Sequence, residues 1–151
     1  MMRVLVTADW QAEWENLDLC KQAAEEVLEI ANKGIGAVVF AGDLKRHYNP
    51  VDVRVTRFWS DFIAQLNKRT EVFLLLGNHD RVGMYSEAEN WLPILKRAGA
   101  NVIHKGPEIF HLVNGSLAFL PFSSSVDKTK QWATKLAYDV KNYDKEKTNL
   151  I

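Results

Sequence analysis

Two carboxylates, an amide and an imidazole recur at even intervals in the first half of the sequence: Asp9, Asp43 and the run Asn78-His79-Asp80. The interval is 34 residues from Asp9 to Asp43 and 35 from Asp43 to Asn78. Each polar group closes a short apolar run, and Gly42 and Gly77 stand directly before Asp43 and Asn78, where a tight turn or a close backbone approach is needed. Carboxylates gathered beside an apolar core repel one another and are costly to desolvate unless a proton or a cation neutralises them. Hard oxygen donors with a neutral amide and an imidazole suit Mn²⁺, Fe²⁺ or Zn²⁺ better than a thiolate-seeking ion. Taken singly, Asp9 and Asp43 read equally well as helix caps and Asn78 as a turn residue. Together, with the Gly77-Asn78-His79-Asp80 tetrapeptide, they point to one metal-centred site.

The elements between them must bring these groups to a common edge. Arg3 to Ala8 and Gly36 to Ala41 read as buried strands, and Glu71 to Leu76 as a third. Leu17, Cys20, Ala24, Val27, Leu28 and Ala31 recur at helical spacing, with Asn16 as cap and Gly34 past the end. Val51, Val55, Phe58, Trp59, Phe62, Ile63 and Leu66 line a second helix beginning near Pro50. Ser86 and Glu89 fit a capping box for a third helix carrying Trp91, Leu92, Leu95 and Ala98. A strand edge follows at Asn101 to His104, then a hairpin over Ile109 to Leu120 turning at Asn114-Gly115. Strand-helix units followed by a hairpin predict a mostly parallel sheet meeting a more antiparallel one, with ligand groups beyond the carboxyl ends of the strands. Residues 1–125 form the main unit. Residues 126–151 form a charged segment in which Trp132, Leu136 and Val140 mark a docked helix ahead of a frayed tail.

The whole chain sets outer bounds. Its 151 residues are 47% hydrophobic and 25% charged, which suits one globular domain. Nineteen basic residues balance 19 acidic ones, so a polyanion partner would need a local basic patch. Cys20 is the single cysteine, which excludes an intrachain disulfide and a cysteine-built metal cluster and fits a cytoplasmic, reducing compartment. No run approaches the roughly 20 apolar residues that span a bilayer, so no membrane association is expected.

Asp9, Gly42-Asp43 and Gly77-Asn78-His79-Asp80 resemble the motifs of the calcineurin-like metallophosphoesterase family. Their separations, and the start Arg3-Val4-Leu5-Val6-Thr7-Ala8-Asp9, resemble its nuclease branch, represented by bacterial SbcD, more than a small protein phosphatase. The resemblance implies an α-β-β-α sandwich and a centre of two divalent ions, Mn²⁺ foremost, bridged by Asp43. Asp9 would contact one ion and Asn78 the other. His79 would stand beside the scissile phosphate, oriented by Asp80. The activity implied is phosphodiester hydrolysis, on DNA in a repair or recombination setting. The alternatives are a small phosphoester substrate, or an assembly module without turnover.

Two departures from the family pattern qualify these expectations. The family has histidine two residues after its first aspartate, where this chain has Gln11, whose amide oxygen is a weaker ligand. The family also completes its metal shells with later glycine-histidine motifs, whereas His104 and His111 lack that context. The resemblance therefore spans the N-terminal half of a catalytic domain and implies a C-terminally incomplete one with weak metal occupancy. Completion would come from the missing C-terminal elements, and the partners expected besides DNA are a complementary C-terminal chain, a second copy in a homodimer or an SbcC-like ATPase. Lys45, Arg46, Arg54, Arg57 and Arg81 are the candidate contacts to DNA phosphates, or else solvated charges. Trp10 and Trp14 either stack a base or cover the core, while Trp59 and Trp91 read as packing residues.

Overall fold

The computed structural model describes residues 2–83, 86–142 and 148–150. Strands β1 (Val4–Thr7), β2 (Ala37–Phe40), β3 (Glu71–Leu75) and β6 (Asn101–Ile103) form one parallel sheet in the order β1-β2-β3-β6. Their register pairs Thr7 with Phe40, Phe40 with Leu74 and Leu75 with Ile103, so the strands end level. The loops after β1, β2 and β3 consequently leave the sheet at one edge.

The central strands are apolar over Ala37–Phe40 and Val72 to Leu75 because both faces are covered, whereas the edge strand β1, expected to be buried, leaves Val6 exposed. On one face Val38, Phe40, Val72 and Leu74 pack against α1 (Leu17–Ala31) and α2 (Val53–Leu66). On the other, Ala37, Val39, Phe73 and Leu75 meet Leu117 and Phe119 of a second sheet. That sheet has the order β7-β8-β9, from Glu108–Leu112, Gly115–Phe119 and Thr148–Leu150. The β7-β8 hairpin is antiparallel and β9 runs parallel to β8. A third helix, α3 (Val126–Asn142), buries Leu136 and rests Trp132 against Gly106. The result is the predicted α/β sandwich of one parallel and one mixed sheet.

Four local expectations change. The helix expected from Ser86 is absent: Ser86–Asn90 is strand β5, paired antiparallel with β4 (Arg81–Gly83), and only Leu92–Ala98 coils, as a 3₁₀ helix ended by Gly99 at φ 100°. Helix α2 starts at Val53 rather than near Pro50, because the Asp52 side chain caps it by accepting from Arg54 N. The hairpin turns at Val113-Asn114, with Gly115 already paired to Leu112. Residues 148–150 of the expected frayed tail form β9, while 143–147 and 151 lie outside the described residues.

Candidate functional site

Three non-glycine residues have left-handed backbone among those described: Asp9 (φ 55°), Gln11 (φ 43°) and Asp43 (φ 56°). Such conformations cost on the order of 1–3 kcal/mol each and persist only where the surroundings enforce them. Here a ladder between the loops after β1 and β2 does so. Asp9 N donates to Gly42 O at 3.3 Å, Gln11 N to Asp43 O at 2.9 Å and Ala12 N to Leu44 O at 2.9 Å. Arg46 N returns a bond to Ala12 O at 3.2 Å.

The loop after β3 is joined just as closely. A Cβ on Gly77 would lie 2.2 Å from Asp43 N and Oδ1, and one on Gly42 would lie 2.7 Å from Gly77 Cα. Only glycine lets these two loops touch. Asp43 Oδ1 then accepts from His79 N at 2.9 Å. Asp9, Gln11, Asp43, Asn78 and His79 thus stand on three loops stitched into one edge.

Asp80 does not orient the His79 ring. Its fully buried carboxylate accepts from Asp43 N (2.9 Å), Leu44 N (3.0 Å), Gly77 N (3.0 Å) and Trp91 Nε1 (3.1 Å). Burial raises its pKa above the ordinary carboxylate value, against the pull of the Trp91 and Gly77 donors. The His79 ring is placed by other means: Nδ1 lies 2.6 Å from Arg46 O, and Tyr48 stacks on the ring with centroids 5.3 Å apart and planes 12° apart. With Nδ1 donating to that carbonyl, Nε2 is the nitrogen left for other partners.

The five cations expected to face phosphate are mostly engaged within the protein. Lys45 is buried, and its Nζ donates to the carbonyls of His47 (2.6 Å), Tyr48 (2.9 Å), Arg81 (3.1 Å) and His79. Burial lowers its pKa to about 8, with Asp80 and Asp43 acting in the opposite sense. Arg46 pairs with Glu13. Arg54 clasps Asp52 at 2.6 Å and stacks 3.6 Å above the Trp14 ring. Arg81 is buried, donates through Nε to Asn78 O at 3.0 Å, and has no partner for its Nη1. Arg57 is exposed, 3.6 Å from Asp61, and with Arg54 lines a groove of about 490 Å³ between α1 and α2.

The aromatic and histidine candidates separate in the same way. Trp10 packs among Phe40, Phe58, Trp59 and Phe62, and Trp59 donates to Leu44 O at 3.2 Å. Trp14 is half exposed with Arg54 on one face. His104 follows β6 with Nδ1 3.0 Å from Asn90 Nδ2, and its pKa is lowered by burial and by Lys96 and Lys105. His111 lies in the hairpin, 2.8 Å from Ser116 Oγ. Sequence reasoning missed Tyr48 and Glu13. Neither has a local signature, since Tyr48 acts by stacking on a loop 31 residues away and Glu13 by holding Arg46 and His47.

Among the described residues, no three His, Cys, Asp or Glu side chains gather closely enough to enclose a metal ion by themselves. The oxygen groups carried on these loops are nevertheless of the kind that a hard divalent cation takes. The Asp9, Gln11 and Asn78 side chains and Asp43 Oδ2 accept no hydrogen bond from the described protein, unlike the saturated Asp80 carboxylate. Open oxygen acceptors beside a buried carboxylate are what such an ion requires.

Comparison with known proteins identifies the arrangement. The family model for calcineurin-like phosphoesterase matches residues 2–147. A putative phosphoesterase, 078R of Invertebrate iridescent virus 3, is 31% identical over 96 residues, covering 62% of this chain and 28% of that protein. The crystal structure of the Pseudomonas putida nuclease MPE has a TM-score of 0.50 at 16% identity, over 82% of this chain and 57% of the other. The Aquifex aeolicus protein AQ665, described as of unknown function, has a TM-score of 0.41 at 14% identity, over 97% of this chain and 74% of the other. The chain thus spans about a quarter of the viral relative's length and just over half of the nuclease's. Among the described residues no helix is long and apolar enough to cross a membrane. With its motifs on the loops after three adjoining parallel strands, this chain belongs to the calcineurin-like phosphoesterase family.

Proposed function

We propose that the site hydrolyses phosphodiesters with divalent metal, Mn²⁺ foremost, and that a DNA strand is its substrate. The observation that carries the reading is the left-handed backbone at Asp9, Gln11 and Asp43, a strain maintained where the three loops meet. Asp9, Asp43 and Asn78 would hold the metal, with Gln11 as a weaker donor and Asp43 shared between two ions. Bound there, the ions would activate water and stabilise the oxygen charge that develops in in-line displacement. His79 N fixes Asp43 Oδ1, and Arg46 O holds His79 Nδ1. His79 Nε2 would meet the phosphate as a donor when the ring is protonated, placed to stabilise its charge or to protonate the leaving oxygen. The word nuclease in the name of the Pseudomonas putida protein supports a nucleic acid as the substrate class.

A second reading, a small phosphoester substrate, is favoured by the internal engagement of Lys45, Arg46, Arg54 and Arg81, which leaves little cationic surface for a long polyanion. Both readings are tested by incubating the chain with Mn²⁺ and either an aryl phosphodiester or end-labelled DNA, alone and with a complementary C-terminal chain. Cleavage of both substrates, abolished by chelation and by Asp43→Ala, is expected. Cleavage of the aryl ester alone would select the second reading. Failure on both, with Mn²⁺ binding verified, would refute both.

A further inference from the structure

The ammonium of Lys45 and the carboxylate of Asp80 divide the loop edge between them. The anion gathers backbone N–H groups from residues 43, 44 and 77, while the cation gathers backbone carbonyls from residues 47, 48, 79 and 81. Carbonyls turned inward need donors, and one ammonium whose three N–H groups are shared among four of them, one bond being bifurcated, fixes the segments that carry them. Two of the four belong to Tyr48 and His79, whose rings lie face to face. A third belongs to His47, adjacent to Arg46, whose carbonyl holds His79 Nδ1. Every group that places the imidazole is therefore tethered, directly or through one peptide unit, to Lys45 Nζ.

We propose that Lys45 is the positioning residue for His79: its buried ammonium sets the Tyr48–His79 stack and the Nδ1 contact to Arg46 O, and so keeps Nε2 as the open nitrogen. This role differs from a phosphate contact, because the ammonium is spent on carbonyls and is almost wholly shielded from solvent. It rests on the phosphoesterase reading only for its kinetic consequence. The effect on the imidazole follows from the carbonyl contacts alone.

The test combines imidazole ¹⁵N NMR with kinetics on the wild type and Lys45→Met, a variant that keeps the stem and removes the charge. In the wild type, His79 is expected as a single Nδ1–H tautomer when neutral. In Lys45→Met, the strand amide signals should persist while the His79 ring shows mixed tautomers or exchange broadening. Turnover of the aryl phosphodiester should fall about 10²-fold in kcat, the scale of a catalytic group displaced by about 1 Å, with KM changed less than about threefold. An unchanged His79 spectrum in Lys45→Met would overturn the assignment, as would unchanged kcat in an active protein. Should the wild type have no turnover, the phosphoesterase reading fails while the tautomer measurement still decides the role of Lys45. Should Lys45→Met fail to fold, the wild type decides: through-hydrogen-bond couplings from Lys45 Nζ to the Tyr48 and His79 carbonyl carbons support the role, and a freely exchanging ammonium without them overturns it.

Discussion

The body of the molecule and the loop edge at its strand ends are held together by opposite kinds of interaction. In the body, Val38, Phe40, Trp59, Phe62 and Leu74 on one face of the parallel sheet, and Phe73, Phe110 and Phe119 on the other, pack as apolar and aromatic clusters. At the edge, beyond the last strand residues, the buried charged residues Asp43, Lys45, Asp80 and Arg81, two glycines and left-handed backbone do the holding. Apolar burial is tolerant, since a neighbouring side chain can shift into part of a lost volume. Buried charges and close backbone contacts are not, because each partner occupies a fixed direction and distance. Stability should therefore reside mainly in the body, and the placement of the functional groups mainly in the edge.

The largest stability effect should come from the body. Trp59→Ala removes a fully buried indole and leaves Leu44 O without its donor, so the unfolding free energy in urea should drop by about 3–5 kcal/mol. A loss below about 1 kcal/mol would break the division. The edge should respond differently to Gly77→Ala, whose Cβ meets Asp43 backbone and carboxylate. Far-UV circular dichroism should be retained while Mn²⁺-dependent turnover falls at least about 10²-fold; unaltered turnover would mean that the loop contact is not critical.

Asp80→Asn should have an intermediate effect on both measures. The amide keeps one acceptor oxygen for four N–H donors, so stability should decline by about 1–3 kcal/mol, read by urea denaturation, and proton exchange at the amides of Asp43, Leu44 and Gly77 should quicken. Equal protection in the two proteins would contradict the staple. The smallest effect belongs to Cys20. Burial, reinforced by Glu13, raises its thiol pKa above the ordinary value, so alkylation by iodoacetamide at pH 8 should be slow in the native state and rapid in denaturant.

The same division governs what could be read from the sequence. The body was legible because β2 and most of β3 are apolar runs and α1 and α2 repeat a buried face, as with Leu17, Cys20, Ala24, Val27 and Ala31. The positions of Asp9, Asp43 and Asn78 at the edge were legible for the same reason, since strand length and register fix where each loop begins. The inner wiring of the edge was not. Lys45 has the sequence appearance of a surface cation, and its fate depends on carbonyls supplied by two loops, the farther one 36 residues away. Asp80 was read as a partner for the neighbouring imidazole, but the N–H groups of Asp43, Leu44 and Gly77 claim it instead. The capping pattern at Ser86 and Glu89 failed to make a helix because Arg81–Gly83 takes that segment as a strand partner, and the indole of Trp91 binds Asp80. Tertiary pairing there overrode a local signal.

The central claim, that the loops after β1, β2 and β3 present a divalent-ion site, is tested most directly by titrating the ¹⁵N-labelled chain with substoichiometric Mn²⁺. Paramagnetic broadening should begin at the amides of Asp9, Asp43 and Asn78, spread outward from them, and be lost in Asp43→Ala. Broadening centred elsewhere, or identical in Asp43→Ala, would contradict the account.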